Sequence, residues 1–466
     1  NHYIALKAEQ HRLSTESWTD PAILNDQVRD FSISLPKRDL RKIGVYYDGR
    51  DLSPVVKKLH IDAYYQTVDR LFSNRVVTAD PPSPFLTAVT STSDDRNINY
   101  GGTAQVDLQF HPDHYTIAGV NYLADNLLTA KTSNIHVTRP MPPPPTTIAN
   151  VNTSSFDDAS INTVSAFVQD QWSFAENFKL IAGLRYYHTE TVLNRTTNVA
   201  RAGVSDRDDD RVITSAGITY TGIANTTLRT MYSEGYITPT LLQLFTDTAA
   251  GRGVTTYGNP NLDPETSRNI EIGARYNAGG LVLDAAAFYT KAKNYITSVP
   301  CTAAVACPVG SFIYVNADRA TTYGLEMTAE YTIPNTSLTP YVTGAWMRRE
   351  LGFATWSTYH SDTPALAGRL GVRWEGQVAG TPMWADLFTR ASSGVKLASM
   401  DGGVLTVREL PSWGTLNFAF GGSFGEGGRL KLGVHFNNIL NEEYRSNFDV
   451  LPGIGRSVEL TARFTF

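Results

Sequence analysis

Two cysteines, Cys301 and Cys307, stand close together in a stretch rich in alanine and proline. A metal site would need more ligands, and neither a histidine nor a carboxylate lies between them. A local disulfide formed in an oxidising compartment is therefore the better interpretation. So short a ring would stabilise the fold by only about 2 kcal/mol, so we expect it to stiffen a loop.

Clustered aspartates could in principle bind a divalent cation. The acidic positions are Asp206, Asp208, Asp209 and Asp210 in one predicted loop, and Asp157 and Asp158 in another. Calcium needs six to eight oxygen ligands, and these spacings match no calcium-loop motif. Arg207 and Arg211 interrupt and flank the first cluster, which weakens the metal interpretation further. We predict solvated acidic loops and no metal site.

Catalytic motifs do not point to an enzyme. The chain has no His-Glu-x-x-His pair on which a zinc protease would depend, and no Gly-x-x-x-x-Gly-Lys phosphate loop. The net charge of −5 is spread along the 466 residues, so nucleic acid is not a predicted partner. We predict a protein without catalytic activity and without an intrinsic cofactor.

Composition and patterning point to strands that cross a membrane. No stretch approaches the roughly 18–20 apolar residues of a spanning helix. A period of two, with one apolar and one polar face, recurs at Val458–Phe466, Tyr323–Tyr331, Leu59–Gln66 and Ala104–Phe110. Many such segments run for about 10–15 residues, whereas strands in soluble domains average nearer 5–6. Since a tilted transmembrane strand needs about 9–11 residues, we favour a membrane barrel over a soluble all-β fold.

The predicted connections alternate between short and long. Short connections fall at Gly49–Ser53, Pro112–Asp113, Ala175–Asn177, Gly222–Asn225, Asn277–Gly280, Pro334–Thr336, Glu375–Gly380 and Gly425–Gly428. Long ones fall at His11–Leu35, Leu71–Asn97, Ala124–Ser160, Leu193–Asp210, Gly235–Glu265, Ile296–Ala317, Gly352–Pro364, Ser393–Pro411 and Leu440–Gly455. Outer-membrane barrels have short periplasmic turns and long extracellular loops. The rhythm predicts about 18 strands in an antiparallel transmembrane β-barrel of the outer membrane.

Two segments that overlap the predicted connection Gly235–Glu265 resemble segments of a known family. Tyr232–Phe245 and Gly258–Ser267, which we call the first and second boxes, resemble the paired boxes of TonB-dependent outer-membrane receptors. Further matching pieces are Ala166–Trp172, Ile181–Tyr186, Asn269–Tyr276, Phe436–Tyr444 and the terminal Phe466. The order and spacing of these pieces, more than any single one, carry the resemblance.

The resemblance implies a 22-stranded barrel whose lumen is closed by an N-terminal plug. On that expectation residues 1–466 are a barrel domain incomplete at its N-terminus, with the plug and the energy-coupling box absent. The implied function is uptake driven by a TonB-type inner-membrane complex, with outer-membrane lipid around the barrel. A passive porin and an adhesin-type barrel are the rivals from other classes.

The implied ligand bears iron. Arg38–Asp48 and Leu59–Thr67 look most like haem and haemoglobin receptors, so haem is favoured, with an extracellular haem-carrier protein as a further partner. A ferric siderophore or cobalamin is the alternative. The interval Tyr236–Asn259 contains no histidine, which departs from the haem-receptor pattern.

Capture is predicted to involve aromatic, basic and histidine side chains in the long loops. The candidate residues are Tyr236, Arg252, Tyr257, His136 and His360. A tyrosine phenolate can ligate haem iron, and an arginine can pair with a carboxylate in a bidentate manner. The alternative interpretation of the boxes is that they only shape the loop. The alternative for the lone loop histidines is that they are merely solvated. His60 is predicted to lie on the polar face of its strand.

Overall fold

A computed structural model describes residues 1–17, 24–79, 84–141, 143–198, 203–204, 206–251, 254–301, 307–308, 310–353, 355–401, 404–448 and 452–465. The described chain is almost entirely strand, as the alternating pattern predicts. The long strands of the first half are β1 His2–Ser17, β2 Val28–Arg50, β3 Val56–Ala79, β4 Leu86–His111, β5 His114–Arg139, β6 Thr146–Ala175, β7 Phe178–Thr196, β8 Arg207–Ile223 and β9 Thr226–Ile237.

The second half begins with a short helix and then returns to strands. Its elements are α1 Leu241–Phe245, β10 Thr248–Gly251, β11 Val254–Tyr257, β12 Glu265–Ala278, β13 Leu281–Pro300, β14 Phe312–Tyr331, β15 Leu338–Gly352, β16 Ser357–Thr358, β17 Leu366–Val378, β18 Thr381–Ser392, β19 Val395–Asp401, β20 Val404–Leu410, β21 Trp413–Phe424, β22 Leu430–Asn437 and β23 Ser457–Phe464. Among the described residues, no helix has the length and apolar character to cross a bilayer.

Eighteen of these strands form one antiparallel meander in chain order. It runs through β1 to β9, β12 to β15, β17, β18 and β21 to β23. The expected number of about 18 strands matches this meander, and the short strands β10, β11 and β16 pair in the same sheet. β1 and β23 are the edge strands of this meander, and no pairing between them occurs within the described ranges. Barrel closure and a total of 22 strands therefore stay predictions.

The eight predicted short connections all lie between paired neighbouring strands. Two of them show why their residues are suitable: Asn225 has a φ of 59° and Gly280 a φ of 82°. This left-handed conformation reverses the chain within a few residues, and glycine and asparagine tolerate it best. Local turn chemistry therefore sets the register of these hairpins.

Several predicted long loops are instead continuations of the strands. The β3–β4 ladder continues to the pair of Ala79 with Leu86. The β5–β6 ladder continues to the pair of Arg139 with Thr146. Most of the predicted long connections Leu71–Asn97 and Ala124–Ser160 is therefore paired strand, and the bounds predicted for them were too wide. The predicted connection His11–Leu35 is also shorter than expected, because β1 and β2 extend into it.

Polar cross-strand pairs explain these extensions. The Thr92 and Thr132 hydroxyl groups lie 2.6 Å apart, and the Asn134 side chain donates to Asn150 and Asn152 at 2.7 and 2.6 Å. A ladder that stands outside the bilayer needs no apolar face, since backbone hydrogen bonds and polar pairs hold it together. The hydropathy alternation therefore stops while the strand goes on.

The two faces of the sheet differ in the way that a membrane strand requires. On one face apolar side chains are exposed, for example Ile272 at 63% and Leu460 at 76%. The opposite face carries ion pairs, including Arg229 with Asp284 at 2.8 Å. A soluble sandwich would bury its apolar face, so this exposed face is the lipid-contacting outer face. We call the polar face the inner face.

Topology gives a first testable prediction. A cysteine at Asp208, which lies at the end carrying the long connections, should react with a membrane-impermeant maleimide on intact cells. A cysteine at Asn335, in the short β14–β15 turn, should react only after the outer membrane is permeabilised. Both side chains are exposed, so access and not burial decides the result. Equal labelling of the two positions on intact cells would contradict the orientation.

Candidate functional site

The connection from β9 to β12 begins with a capped helical turn. Thr240 and Gln243 form a capping box around α1: Gln243 N donates to Thr240 Oγ1 at 3.3 Å, and Thr240 N donates to Gln243 Oε1 at 2.9 Å. Pro239 precedes the cap and cannot donate to a strand ladder, which ends β9 there. The first box therefore encodes a sharp change from strand to helix.

Helix α1 anchors this connection to the inner face. Its buried side chains join a cluster formed by Leu127, Ala159, Ile161, Leu241, Leu244, Phe245 and Leu262. Leu127 belongs to β5, Ala159 and Ile161 belong to β6, and Leu262 belongs to the second box. The connection therefore folds inward across the inner face and does not extend away from the sheet.

The second box is held by hydrogen bonds to its neighbours. Asn259 Nδ2 donates to the Tyr314 carbonyl at 3.0 Å, and Asn259 N donates to the Gln243 carbonyl at 2.7 Å. Asn261 N donates to Asn259 Oδ1 at 3.0 Å, which closes a local turn. The asparagines of this box therefore shape the loop.

Arg207 and Asn316 fasten the same box from two sides. Arg207 Nη1 donates to the Leu262 carbonyl at 2.6 Å, and its Nη2 lies 3.1 Å from Asp263 Oδ1. Asn316 Oδ1 accepts from Asp263 N at 2.8 Å, and its Nδ2 donates to the Asp263 carbonyl at 2.9 Å. Both boxes thus help to shape the connection.

Tyr236 is placed for packing more than for ligation. Its ring lies against Tyr187 of β7, with 5.6 Å between the ring centroids. Burial raises the pKa of Tyr236 to about 12, so its phenol stays protonated at neutral pH. A phenolate ligand for iron is disfavoured at this position.

Tyr257 ends β11, which pairs in parallel with β14 through Ile313. Burial, followed by the nearby Asp247 carboxylate, raises the pKa of Tyr257. Arg252, the third predicted capture residue of this loop, lies outside the described residues. The structure therefore places two of the three predicted loop residues, and each is half-buried.

The predicted histidines lie in separate places. His136 is paired with Ala88 and Asn150 in the β4–β6 ladder. His360 lies between β16 and β17, and its carbonyl accepts from Ala398 N at 3.0 Å. His60 lies on the inner face as predicted, and its ring nitrogens lie 2.9 Å from Asp48 and 3.0 Å from Asp62. The structure does not bring His136 and His360 together.

The disulfide prediction is confirmed. Cys301 and Cys307 are bonded, with an S–S distance of 2.02 Å and a Cα–Cα distance of 5.6 Å. Cys301 is buried, and its backbone N donates to the Ser311 carbonyl at 2.8 Å. The bond lies in the β13–β14 connection, as a local brace of that loop.

The predicted acidic loop is for the most part the start of β8. Asp209 pairs with Arg207 at 2.9 Å, and Asp210 pairs with His188 at 3.0 Å. Asp157 is buried and accepts from Thr196 Oγ1 at 2.6 Å. Within the described residues, no group of three or more acidic, histidine or cysteine side chains could hold a metal ion.

One pentapeptide has the spacing of a hydrolase nucleophile motif. Gly421–Gly425 reads Gly-Gly-Ser-Phe-Gly, and a functional elbow places that serine between a strand and a helix. Ser423 instead pairs with Lys431 within the β21–β22 hairpin. The strand–turn–strand context rules out an elbow at this serine.

A cavity that the sequence did not reveal lies under the anchored connection. It has a volume of about 420 Å³, between the inner faces of β3 to β6 and the start of the β10–β11 hairpin. Its lining is rich in hydroxyl groups: Ser91, Ser93, Ser133, Thr153, Ser155, Thr246, Thr248 and Thr255. Arg70, Lys131 and Asp247 are its charged members. Such a wall suits a polar ligand.

Arg70 is held in a fixed orientation at this cavity. Its Nε donates to Asp95 at 2.9 Å, and Asp95 also accepts from Ser93 at 2.8 Å and from Thr129. Asp95 is buried, whereas the Arg70 side chain is 36% exposed. On the loop side, Thr246 is 1% exposed, and its Oγ1 has no hydrogen-bond partner within the described part of the chain.

The sequence carries little signal for these cavity residues. Ser91–Ser93, Lys131–Ser133 and Thr153–Ser155 are unbroken polar runs inside predicted loops, without alternation. The convergence of three such strands with the loop depends on tertiary packing.

Comparison with known proteins identifies the class. The family model described as "TonB dependent receptor-like, beta-barrel" matches residues 9–439. The chain therefore belongs to this family of bacterial outer-membrane proteins.

Individual relatives resemble the chain over part of their length. An "Iron-regulated outer membrane virulence protein" of Vibrio cholerae is 31% identical over 193 residues, which cover 37% of this chain and 27% of the relative. The chain thus spans only about a quarter of that relative's length in the match.

Solved structures share the fold at low identity. The "Copper transporter OprC" superposes with a TM-score of 0.72 at 15% identity, covering 99% of this chain and 76% of that one. The FrpB iron transporter from Neisseria meningitidis gives 0.54 at 13% identity, covering 94% and 79%. The ferric yersiniabactin uptake receptor FyuA from Yersinia pestis gives 0.51 at 14%, covering 100% and 79%. At such identities these likenesses concern the fold alone.

Proposed function

We propose that this protein takes up a metal held in a polar, negatively charged chelate of the siderophore class. The observation that carries the proposal is the cavity between the inner face and the anchored connection. Its hydroxyl wall carries the basic side chains of Lys131 and of Arg70, which Asp95 orients, together with the carboxylate of Asp247. A ferric chelate that presents oxygen-rich, anionic groups would match this wall by charge-assisted hydrogen bonds. Family membership and the iron-regulated relative support the same class of cargo.

Haem is the less favoured cargo. A haem pocket needs an axial ligand for iron and a largely apolar wall for the macrocycle. The high pKa of Tyr236 disfavours a phenolate, and His136 and His360 lie on separate elements. Haem uptake and an extracellular haem-carrier partner remain predictions from the resemblance, as does cobalamin.

Energy coupling is what membership of the family implies. A TonB-type inner-membrane complex would act on a plug domain, and the barrel wall would stay rigid around it. A passive porin is disfavoured, because α1 and Leu262 pack against the inner face of β5 and β6, where a porin would be open. An adhesin would leave the cavity without a role.

Ligand binding tests the proposal. In the full-length protein, Lys131→Gln should weaken binding of a ferric siderophore by about ten- to a hundredfold. This is the loss of one hydrogen bond to a charged group, roughly 1.5–3 kcal/mol. Fluorescence quenching with a panel of ferric hydroxamate, catecholate and carboxylate chelates, and with haem, would identify the responsive ligand.

A matched control is Lys396→Gln. Lys396 pairs with Glu409 in the β19–β20 hairpin and does not line the cavity, so binding should be unchanged. Tight haem binding that Lys131→Gln leaves intact would overturn the siderophore assignment. Unaltered binding of every chelate in the panel would show that capture lies elsewhere.

A further inference from the structure

The outer face of β12 to β15 changes its chemistry in a regular order towards the end with the long connections. One cross-strand row is apolar and contains Ile272, Leu325 and Trp346. The next row is mainly aromatic, with Tyr289 opposite Tyr323. Aromatic side chains on a membrane strand mark the boundary between hydrocarbon and headgroups.

Basic side chains follow immediately beyond this aromatic row. The cationic row, as we call it, consists of Arg268 on β12, Lys291 and Lys293 on β13, Arg319 on β14 and Arg348 on β15. The register sets them side by side, because Arg268 pairs with Lys291 and Lys293 pairs with Arg319. Arg348 pairs with Tyr323 and so stands at the edge of the aromatic row.

The cationic row carries more positive charge than its surroundings neutralise. Glu234 lies 3.4 Å from Arg268, and Glu350 is the second carboxylate on this part of the outer face. Five cations against two carboxylates leave an excess of three positive charges. The other four cations form no ion pair with any residue that the structure describes, and all five residues are exposed.

The height of the cationic row matches the outer boundary of the bilayer. Arg268 stands ten residues from the end of β12 at Ala278, and Lys291 stands ten residues from the start of β13 at Leu281. Ten residues span about 33 Å along a strand, which a tilt of 35–45° reduces to about 23–27 Å. The apolar band of such barrels is about 25 Å tall, so these cations lie where headgroups begin.

Charges on the outer face of β2 to β4 are balanced somewhat further out, thirteen to fifteen residues from the short-turn ends of these strands. There Asp69 is nearly buried between Arg96 at 2.7 Å and Lys37 at 4.0 Å, and Asp39 and Asp94 stand beside them on the outer face. These cations are already matched by carboxylates of the same chain. The unmatched cationic row is therefore a local property of β12 to β15.

We propose that the cationic row binds the phosphate groups of anionic glycolipid headgroups in the outer leaflet. Its residues face lipid and not the inner cavity, and phosphate is the anion that occurs at this depth. Arginine and lysine bind phosphate through charge-assisted hydrogen bonds, and flanking aromatics hold the sugar and acyl regions at the interface. The site is independent of the ligand cavity and of the uptake function.

Native mass spectrometry of the purified full-length protein with lipid A tests this proposal. The double variant Lys291→Gln, Lys293→Gln should weaken binding of bisphosphorylated lipid A by about 30-fold, since each basic residue near an anionic surface contributes about a fivefold factor. Neither lysine has a carboxylate partner in the described chain, so the variant leaves no acid unpaired. Dephosphorylated lipid A should bind the parent protein and the variant equally.

The matched control is the double variant Lys37→Gln, Arg41→Gln, which removes the same charge from the outer face of β2. Arg96 still pairs with Asp69 there, so lipid A binding should change by less than threefold. Equal losses in the two double variants would overturn the site, because they would indicate a general charge effect. If lipid A bound equally well with and without its phosphate groups, the assignment of phosphate as the bound group would be wrong. Complete competition by millimolar inorganic phosphate would contradict a lipid-specific site.

Discussion

Replacing Leu262 with alanine should release the Pro239–Pro264 connection from the inner face while the sheet stays folded. Leu262 is 0% exposed and packs with Leu241, Leu244 and Phe245 of α1. Truncating a leucine in such a packed site costs about 2–5 kcal/mol, because the lost contacts and the residual cavity add up. The free energy that holds one such connection on the inner face is of the same size as this cost, so we expect the connection to open.

Hydrogen exchange would measure this opening. Amides of α1, such as Leu244 N bonded to the Thr240 carbonyl at 3.0 Å, should exchange faster by two to three orders of magnitude. Amides in the β13–β14 ladder should keep their protection. Leu440→Ala is the control, since that side chain is 70% exposed and should contribute little. Unchanged exchange in α1 would mean that the hydrogen bonds of Asn259, Asn316 and Arg207 hold the connection without the apolar cluster.

Leu460→Arg should destabilise the sheet in a bilayer by about 2–4 kcal/mol, the cost of a cation near the membrane midplane. Leu460 points to the lipid face and pairs with Val434, which stands four residues above the start of β22 at Leu430. Four to five residues of tilted strand rise roughly half of a 25 Å apolar band, so the position is central. Reversible unfolding in lipid vesicles would measure the change.

Thr461→Arg provides the internal comparison. Thr461 is the next residue of the same strand, so it points to the polar face and pairs with Gly433. A guanidinium group there can reach water, and the cost should be below about 1 kcal/mol. Equal costs for the two arginine substitutions would show that the faces of β23 are assigned wrongly.

Much of the fold follows from local rules that act within each hairpin. A period of two forces alternate side chains onto opposite faces, and turn residues such as Asn225 and Gly280 reverse the chain. For that reason the strands, the eight short turns and the two-faced sheet could be predicted. The Cys301–Cys307 bond could be predicted too, because the two residues are too close in sequence to need help from the rest of the fold.

Local patterns in the sequence therefore account for the class of fold, the membrane strands and the disulfide, whereas the position of the candidate site depends on how distant strands pack. The polar extensions of β3 to β6 carry no hydropathy signal, so their ladders and the cavity of Arg70 and Lys131 were not predicted. Likewise, Tyr236 was a ligand candidate by type, but the fold half-buries it against Tyr187, and this burial raises its pKa to about 12. The physical reason is that hydropathy records which face meets lipid, while a binding site depends on which distant polar strands converge.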